Sequence, residues 1–577
     1  MKRTSRWWLR WAFVGGLATA FAGGAPAGPA QSPPAAVEPV SVTVVEAAYV
    51  DWLDARDATS ALGAGALQRR AGLDLAAWET LARERRARLV DLLHRLPAVV
   101  APDADARAVA AMRRSLELYD AGTVPTAPVR ASDCSDAQRP DSDEATLRAS
   151  LEACFVELGG SMQFEGRTID RGMALQRLHL LDDPARRRAL FAAFGPLWNA
   201  VHGDGTDQSP YRRLIRLTAA NAAERGGTPV DEAARALGVE VADVERWLVE
   251  VLEAWRDASG PATVEPWDYR YVHGAAHRRL EPHVPQAALL PVSERYFRDL
   301  GADPRALGVV YDVEPRPGKA PAAYADFLQR GRPTGHGWQP STALVVANYP
   351  EGGLFALNEL VHELGHAVHV SAIRTRPAWL DWPDTLLTEA FADVPSWSNF
   401  EPAWQQRYLG AAAGERESLR ALYSGVMLDV AWGLFELRLL RDPASDPSAV
   451  WTDITSRYLH VRPHPELPWW AMRVQLVTDP GYMVNYALGA MLTAEMRAAA
   501  AQAVGPFETG AAGWYHWASE RLLRYGAERD TRELMRDLLG RPPSPDALVA
   551  QIRRIGAPGA VAQCGRECDA RPESGRN

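Results

Sequence analysis

Two histidines four residues apart, with a glutamate directly after the first, carry the clearest chemical signal in this sequence. His362, Glu363 and His366 lie in the segment NELVHELGHAVHV, residues 358–370, whose pattern is helical. Positions i and i+4 share one helix face, so both imidazoles can reach a single zinc ion at about 2.0–2.1 Å. Glu363 would lie beside the metal and act as general base toward the water that zinc activates. The spacing therefore predicts one Zn²⁺ per chain at a hydrolytic site.

A third metal ligand is expected on a second helix. Zinc sites that use a third histidine would need it at position 372, which is Ala372. The segment TEAFADV, residues 388–394, instead offers Glu389 and Asp393 one helical turn apart. Glu389 would complete three protein ligands with an open position, and Asp393 would accept the other ring N–H of a ligand histidine. The alternative is that both carboxylates lie on a solvated helix face, although their neighbours are apolar.

His369 lies one turn beyond His366 and could be mistaken for a ligand. A histidine at this position is more often a packed side chain, or a hydrogen-bonding partner of the site. The sequence therefore predicts that His369 does not bind the metal.

Length and charge limit the classes of protein that this chain could be. It has 577 residues, 47% of them apolar and 23% charged, which is typical of a globular protein with several lobes. The net charge of -9 argues against a nucleic-acid partner, which would favour a basic surface. Of 63 basic residues only Lys2 and Lys319 are lysines, a skew that indicates coding bias.

The N-terminus has the pattern of an export signal. Basic residues precede an apolar stretch over 11–22, which is followed by small residues and an A-x-A site at 25–27. We therefore expect residues 1–30 to be a signal peptide and the mature protein to be periplasmic or secreted, without stable membrane insertion after cleavage. An uncleaved anchor is the alternative. The four cysteines then favour disulfides, most simply Cys134–Cys154 and Cys564–Cys568.

The pattern of apolar residues is mainly helical. Spacings of three and four predict helices within residues 75–95, 104–119, 184–202, 230–258 and 418–440. One strand is predicted at 343–349, ALVVANY, between two prolines. The predicted organisation is a mainly helical part at 31–340, a catalytic zinc-binding part at 341–545 and a C-terminal tail at 546–577.

The HELGHAVH helix followed by a Glu-x-x-x-Asp helix resembles the gluzincin metallopeptidases. The longer context resembles the thimet oligopeptidase/oligoendopeptidase family, M3, with the angiotensin-converting-enzyme-like family, M2, second. The supporting segments are PWDYRY (266–271), ERYFRDLG (294–301), RPGK (316–319) and VVANY (345–349), in this order before the motif. The resemblance covers roughly residues 180–500.

This resemblance implies a mostly α, elongated multi-helix zincin with a deep channel and one small β-sheet beside the active-site helix. It also implies peptide substrates, and a strand 343–349 that lines the channel, where a peptide could add as a further strand. The segment DPGYMVNY, 479–486, resembles the family segment whose tyrosine donates to the oxyanion, so Tyr486 and Tyr482 are candidates for that role. The family's histidine just before these tyrosines is absent here.

Two further residues are candidate substrate contacts: Asn348 in the predicted strand and His336 in a glycine-flanked loop, TGHGW. The predicted function is zinc-dependent hydrolysis of peptide bonds in short peptides. A dipeptidyl carboxypeptidase of M2-like type, or a non-catalytic exported peptide-binding protein on the same fold, is the alternative. The sequence leaves the oligomeric state open.

Overall fold

A computed structural model describes residues 40–67, 74–97, 100, 102–122, 142–224, 226–316, 319, 323–335 and 337–556. The predicted signal peptide, Cys134, His336, Cys564 and Cys568 lie outside these ranges. The predicted disulfide pairings and export therefore stay predictions.

Helices make up most of the described chain. They are Val42–Gly63 (α1), Leu75–His94 (α2), Asp103–Gly122 (α3), Glu144–Gly160 (α4), Arg171–Leu180 (α5), Pro184–Ala192 (α6), Gly195–His202 (α7), Pro210–Glu224 (α8), Pro229–Leu237 (α9), Val241–Ser259 (α10), Tyr269–His273 (α11), Ala275–Leu280 (α12), Leu289–Asp299 (α13), Leu354–Ala372 (α14), Thr385–Ser396 (α15), Pro402–Leu409 (α16), Glu415–Arg441 (α17), Pro447–Tyr458 (α18), Gln475–Thr478 (α19), Met483–Val504 (α20), Trp514–Ala518 (α21), Thr531–Leu539 (α22) and Asp546–Arg553 (α23).

Seven short strands form three small sheets in the described residues. They are Met162–Phe164 (β1), Arg167–Ile169 (β2), Val310–Asp312 (β3), Tyr324–Gln329 (β4), Arg332–Thr334 (β5), Gly337–Gln339 (β6) and Thr342–Val346 (β7). β1–β2 and β5–β6 are antiparallel pairs, and the third sheet has the order β3-β7-β4. β7 pairs parallel with β3 and antiparallel with β4, and both β7 and β4 pack on α14. The predicted fold class, mostly helical with a small sheet beside the active-site helix, is confirmed.

The position of β7 corrects one expectation. The strand in ALVVANY, which is β7, was expected to accept a substrate peptide along its edge. In the structure β7 pairs with β3 on one side and with β4 on the other. Its backbone groups are therefore already engaged on both sides. Among the described residues, the sheet ends at β4 and β3, and β4 is the edge strand next to α14.

Two of the predicted helices are interrupted. The predicted helix 184–202 becomes α6 and α7, which are separated just before Gly195-Pro196, where a proline favours a new helix start. The predicted helix 230–258 becomes α9 and α10, since Gly238 adopts a left-handed φ of 71° that ends α9. The apolar spacing continues on both sides of each break, so periodicity alone predicts one helix where the structure has two.

One large hydrophobic core joins the N-terminal and C-terminal segments around α14, α15, α17 and α20. Its members run from Val50 to Ile555, so the start of the predicted C-terminal tail is part of it: α23 packs on α10 and α20. No helix in the described ranges combines the length and apolar character needed to cross a membrane.

Candidate metal centre

Two adjacent helices bring the three predicted ligands together. His362 and His366 lie one turn apart on α14, and their Nε2 atoms are 3.1 Å apart. Glu389 on α15 faces them, with Oε2 at 3.4 Å from His362 Nε2 and Oε1 at 3.8 Å from His366 Nε2. The donor atoms of these three residues lie within 4.8 Å of one another. They are the only such group of three or more found in the part of the chain that the structure describes.

The close approach of the two helices depends on Gly365, between the two ligand histidines. A Cβ atom at this position would lie 2.9 Å from Ala392 Cα and 3.0 Å from Ala392 O, closer than real Cβ contacts. α15 is held from its other side by α20, where Thr493 Oγ1 donates to Ala390 O at 2.9 Å. At its start, the Asp384 side chain accepts the Leu387 N–H at 3.0 Å as a helix cap. Packing and capping thus fix the position of α15 and of Glu389 on it.

Asp393 orients the first ligand histidine. Its Oδ1 lies 2.8 Å from His362 Nδ1 and also accepts from Ser396 Oγ at 3.2 Å. An Nδ1–H held by a carboxylate leaves the Nε2 lone pair pointing at Glu389 and His366, the tautomer that a metal requires. The structure therefore gives Asp393 the position expected of a partner to His362.

The donor set fits a divalent metal ion. Bonds of about 2.0–2.1 Å in tetrahedral geometry place neighbouring ligand atoms about 3.3 Å apart, close to the measured 3.1, 3.4 and 3.8 Å. Burial lowers the pKa of His362, but the Asp393, Glu389 and Glu363 carboxylates outweigh burial and raise it well above its usual value. The same carboxylates would favour a metal cation between the Nε2 atoms of His362 and His366. Two imidazoles and one carboxylate are a set that zinc accepts.

Glu363 is buried beside the cluster. Burial, followed by repulsion from Glu359 and Glu389, raises its pKa to about 8 despite the opposing effect of His362. The backbone N–H of Ala325 on β4 lies against its carboxylate and lowers the pKa in part. The carboxylate lies next to the donor cluster, where it can reach a water molecule held by a metal there.

The two candidate tyrosines lie at the start of α20, on the other side of Glu389. Their rings pack edge to face, 5.4 Å between centroids, and the Glu389 charge contributes to the raised pKa of both, after burial. Gln475 Nε2 donates to Tyr486 Oη at 3.1 Å. Gln475 lies in the segment before the tyrosines, where the family has a histidine that this chain lacks. Because the pKa of each phenol is raised, both remain neutral hydrogen-bond donors over the physiological range.

A buried glutamate holds the start of α20. Glu436 of α17 accepts the backbone N–H groups of Gly481 and Met483, each at 2.8 Å, and burial raises its pKa to about 8. Because Tyr482 lies between these two residues, this contact fixes its backbone. No spacing in the sequence signals a contact across 45 residues.

Comparisons with known proteins agree with this geometry. Residues 305–554 match the profile of peptidase family M3, a range that includes every residue of the cluster. The match supports an M3-like gluzincin peptidase. A search of curated protein sequences finds no match.

Solved structures show that this peptidase shares its fold with known peptidases over nearly its whole length. An oligoendopeptidase F solved at 3.1 Å has a TM-score of 0.55 at 17% identity, covering 90% of this chain and 97% of the other. PZ peptidase A with an inhibitor has a TM-score of 0.53 at 15% sequence identity, and the match covers 90% of this chain and 97% of the other. An oligoendopeptidase F from Bacillus anthracis str. Ames has a TM-score of 0.50 at 14% sequence identity, and the match covers 89% of this chain and 95% of the other.

The structure shows the contacts of two further residues from the sequence analysis, His369 and Asn348. His369 is fully buried against Trp382 and Phe391, at 5.4 and 5.6 Å between ring centroids, and burial lowers its pKa to about 3. Asn348 accepts the Arg316 backbone N–H at 2.9 Å and so holds the loop before β4. A substrate contact by Asn348 stays a prediction. His336 lies outside the described residues, so a substrate contact by it also stays a prediction.

The sequence reasoning missed a tryptophan that covers one side of the peptidase site. Trp382 packs edge-on against His366, 5.8 Å between centroids, and its Nε1 donates to Asp326 Oδ1 at 3.1 Å. Asp326 is on β4, one residue after Ala325, so β4 and Trp382 form one wall beside α14. Buried Arg330 continues this wall by donating to the Leu380 carbonyl at 2.7 Å.

Proposed function

We propose that this peptidase is a zinc enzyme that hydrolyses peptide bonds of short peptides. The observation that carries the proposal is the convergence of His362, His366 and Glu389 with Glu363 buried beside them. His362, His366 and Glu389 would hold the metal. When bound, zinc supplies Lewis-acid activation of water and of the scissile carbonyl.

The residues of this chain supply the proton transfers. Glu363 accepts a proton from the attacking water as the water oxygen bonds to the scissile carbonyl carbon. It then returns that proton to the leaving nitrogen as the C–N bond breaks, so one water is consumed for each bond cleaved. Its burial directly beside the three candidate ligands supports this role.

Neutral phenols would steady the oxyanion. Tyr486 and Tyr482 face Glu389 from α20, and a phenolic O–H can donate to the developing negative charge without carrying a charge itself. Gln475 holds the Tyr486 oxygen at 3.1 Å, an arrangement that takes the place of the missing histidine. We favour Tyr486 because it is the less buried of the two.

The edge of β4 would align the substrate. Ala325 on β4 already reaches the Glu363 carboxylate, so a peptide paired along β4 would run past the general base. Pairing at a sheet edge uses main-chain groups, which suits short peptides of varied sequence.

A non-catalytic peptide-binding protein is the second candidate, and Glu363 argues against it because a binding site has no need for a buried base. One experiment separates the candidates: zinc content measured beside cleavage of a quenched peptide library. We expect about one zinc per chain and turnover that a chelator abolishes. Fully active protein without metal would overturn the zinc proposal, and zinc-loaded protein without turnover would favour the binding protein.

We further propose export to the periplasm or the medium, on the basis of the signal pattern at residues 1–30. The mature N-terminus is expected near Gly28 or Gln31. N-terminal sequencing of the exported protein tests this, and a chain that still begins at Met1 would contradict it.

A further inference from the structure

The start of α20 is capped by a side chain from another helix. The first backbone N–H groups of a helix have no partner within it, and a side chain just before the helix usually satisfies one of them. Tyr482 occupies this position, and its side chain makes no such hydrogen bond. Glu436 of α17 supplies the acceptors instead: its Oε1 accepts the Gly481 N–H and its Oε2 the Met483 N–H, each at 2.8 Å.

The contact between Glu436 and this turn is buried and closely packed. Glu436 has no exposed surface. Gly481 has a left-handed φ of 90°, and a Cβ atom there would lie 2.8 Å from Pro229 Cβ. Three residues before Glu436 on α17, a Cβ atom at Gly433 would lie 3.3 Å from Met483 O. The turn before α20 therefore has little room to shift while Glu436 holds it.

The same turn sets where the two candidate tyrosines lie. Tyr482 is the residue between the two N–H groups that Glu436 accepts, and Tyr486 follows one helical turn later on the same face. Tyr482 also shares a hydrogen bond with the Thr385 side chain at the start of α15, the helix that carries Glu389. A shift of α20 relative to α15 would therefore move both phenols relative to the candidate metal ligand.

We propose that Glu436 is a positioning residue for hydrolysis: by capping α20, it holds the phenols of Tyr482 and Tyr486 where they meet the oxyanion. This inference rests on the proposed peptidase function, in which these phenols donate to the developing negative charge. Such donors are effective because they are in place before the reaction begins, and a misplacement of about 1 Å can cost about 100-fold in rate. Glu436 would act through α20 and not by contact with the substrate.

The substitution Glu436→Gln tests this role at nearly constant side-chain size. The amide nitrogen would face a backbone N–H, so one hydrogen bond is lost and two donors are brought together. We expect kcat for a quenched peptide to fall about 10- to 100-fold while KM changes by less than about twofold, because the phenols act on the transition state. The variant should still bind about one zinc per chain with wild-type affinity in a chelator competition assay, since the three ligands lie on α14 and α15.

A double-mutant cycle separates positioning from general damage to the site. The double variant Tyr482→Phe/Tyr486→Phe lacks both phenols. In this background Glu436→Gln should lower kcat by no more than about twofold, because the contribution that Glu436 supports is already gone. General disruption of the site would instead lower kcat by the same factor with and without the phenols.

Glu495→Gln is the matched control. Glu495 is also buried, lies further along α20 and accepts the Ser544 backbone N–H at 3.3 Å and Arg541 Nη2 at 2.8 Å. These contacts hold the segment 541–544 and not the start of α20. The control variant should keep wild-type kcat and KM, even where urea unfolding shows that it is less stable.

Glu436→Asp keeps the inference testable if Glu436→Gln does not fold. Aspartate retains both acceptor oxygens and the charge but is shorter by one methylene, so the start of α20 must move or lose contact. We expect kcat to fall with KM unchanged, and to fall less than in Glu436→Gln.

The outcomes distinguish this inference from the function on which it rests. Wild-type kcat in folded, zinc-loaded Glu436→Gln or Glu436→Asp would overturn it, and so would equal losses of kcat with and without the two phenols. Wild-type kcat in the double phenylalanine variant would also overturn it, because no donor would then need positioning, and would leave zinc-dependent hydrolysis intact. Zinc-loaded wild-type protein that cleaves no peptide would instead contradict the proposed function.

Discussion

Replacing Gly365 by alanine tests whether the close approach of α14 and α15 builds the metal site. The added Cβ would lie 2.9 Å from Ala392 Cα, whereas ordinary contacts begin at 3.4 Å, so the helices must separate by about 0.5 Å. Ligand distances in metal sites vary by only about 0.2 Å, so this shift moves Glu389 out of range of the histidines. Overpacking of this kind also costs about 1–3 kcal/mol of unfolding free energy.

The assay measures zinc affinity by competition with a chelator and stability by urea unfolding of the metal-free protein. Gly365→Ala should weaken zinc binding by about 10-fold or more, the loss seen when ligand positioning is disturbed, and lower the stability. Gly425→Ala is the control, because Gly425 is also helical but nothing lies within 4 Å of its added Cβ. It should leave zinc affinity unchanged and stabilise α17 slightly, by up to about 1 kcal/mol. Wild-type zinc affinity and stability in Gly365→Ala would refute the reasoning.

Asp393→Ala should weaken zinc affinity by about 10–100-fold while the three ligands remain, because His362 loses the acceptor of its Nδ1–H; a chelator competition assay that finds wild-type affinity would exclude this role. Acid should also destabilise the fold through His277, whose pKa is lowered to about 4 by burial and by Arg270 and Arg278. The unfolded state takes up the proton first as pH falls below about 6.5, so His277 alone should cost about 2 kcal/mol at pH 5. Urea unfolding of metal-free wild type and His277→Phe at pH 7 and pH 5 checks this, since the variant should lose less stability on acidification.

The core of the site could be predicted from sequence because its parts are local. His362 and His366 share a helix face through their spacing, and so do Glu389 and Asp393. Only the pairing of the two helices had to be assumed. Gly365 is the feature that permits it, and a glycine inside the motif gives no sign of which backbone it approaches.

Contacts between distant segments could not be predicted in this way. Arg171, Arg270 and Arg473 lie close enough to one another for their charges to repel, and in a chain with so many arginines no single one stands out. The role of β7 as a central strand likewise depends on β3, about 30 residues earlier, which is too short to give an alternating pattern. Periodicity reports which face of an element is buried, and not which element covers it.

The central claim is that one helix supplies both metal ligands and a separate general base. Zinc stoichiometry and kcat for peptide cleavage, measured side by side in Glu363→Gln and His362→Ala, test it most directly. Glu363→Gln should keep about one zinc per chain while kcat falls by about 10²–10⁴, because the amide cannot accept the proton of water. His362→Ala should lose metal and activity together. Near-normal turnover in zinc-loaded Glu363→Gln would contradict the account, since another group would then have to activate the water.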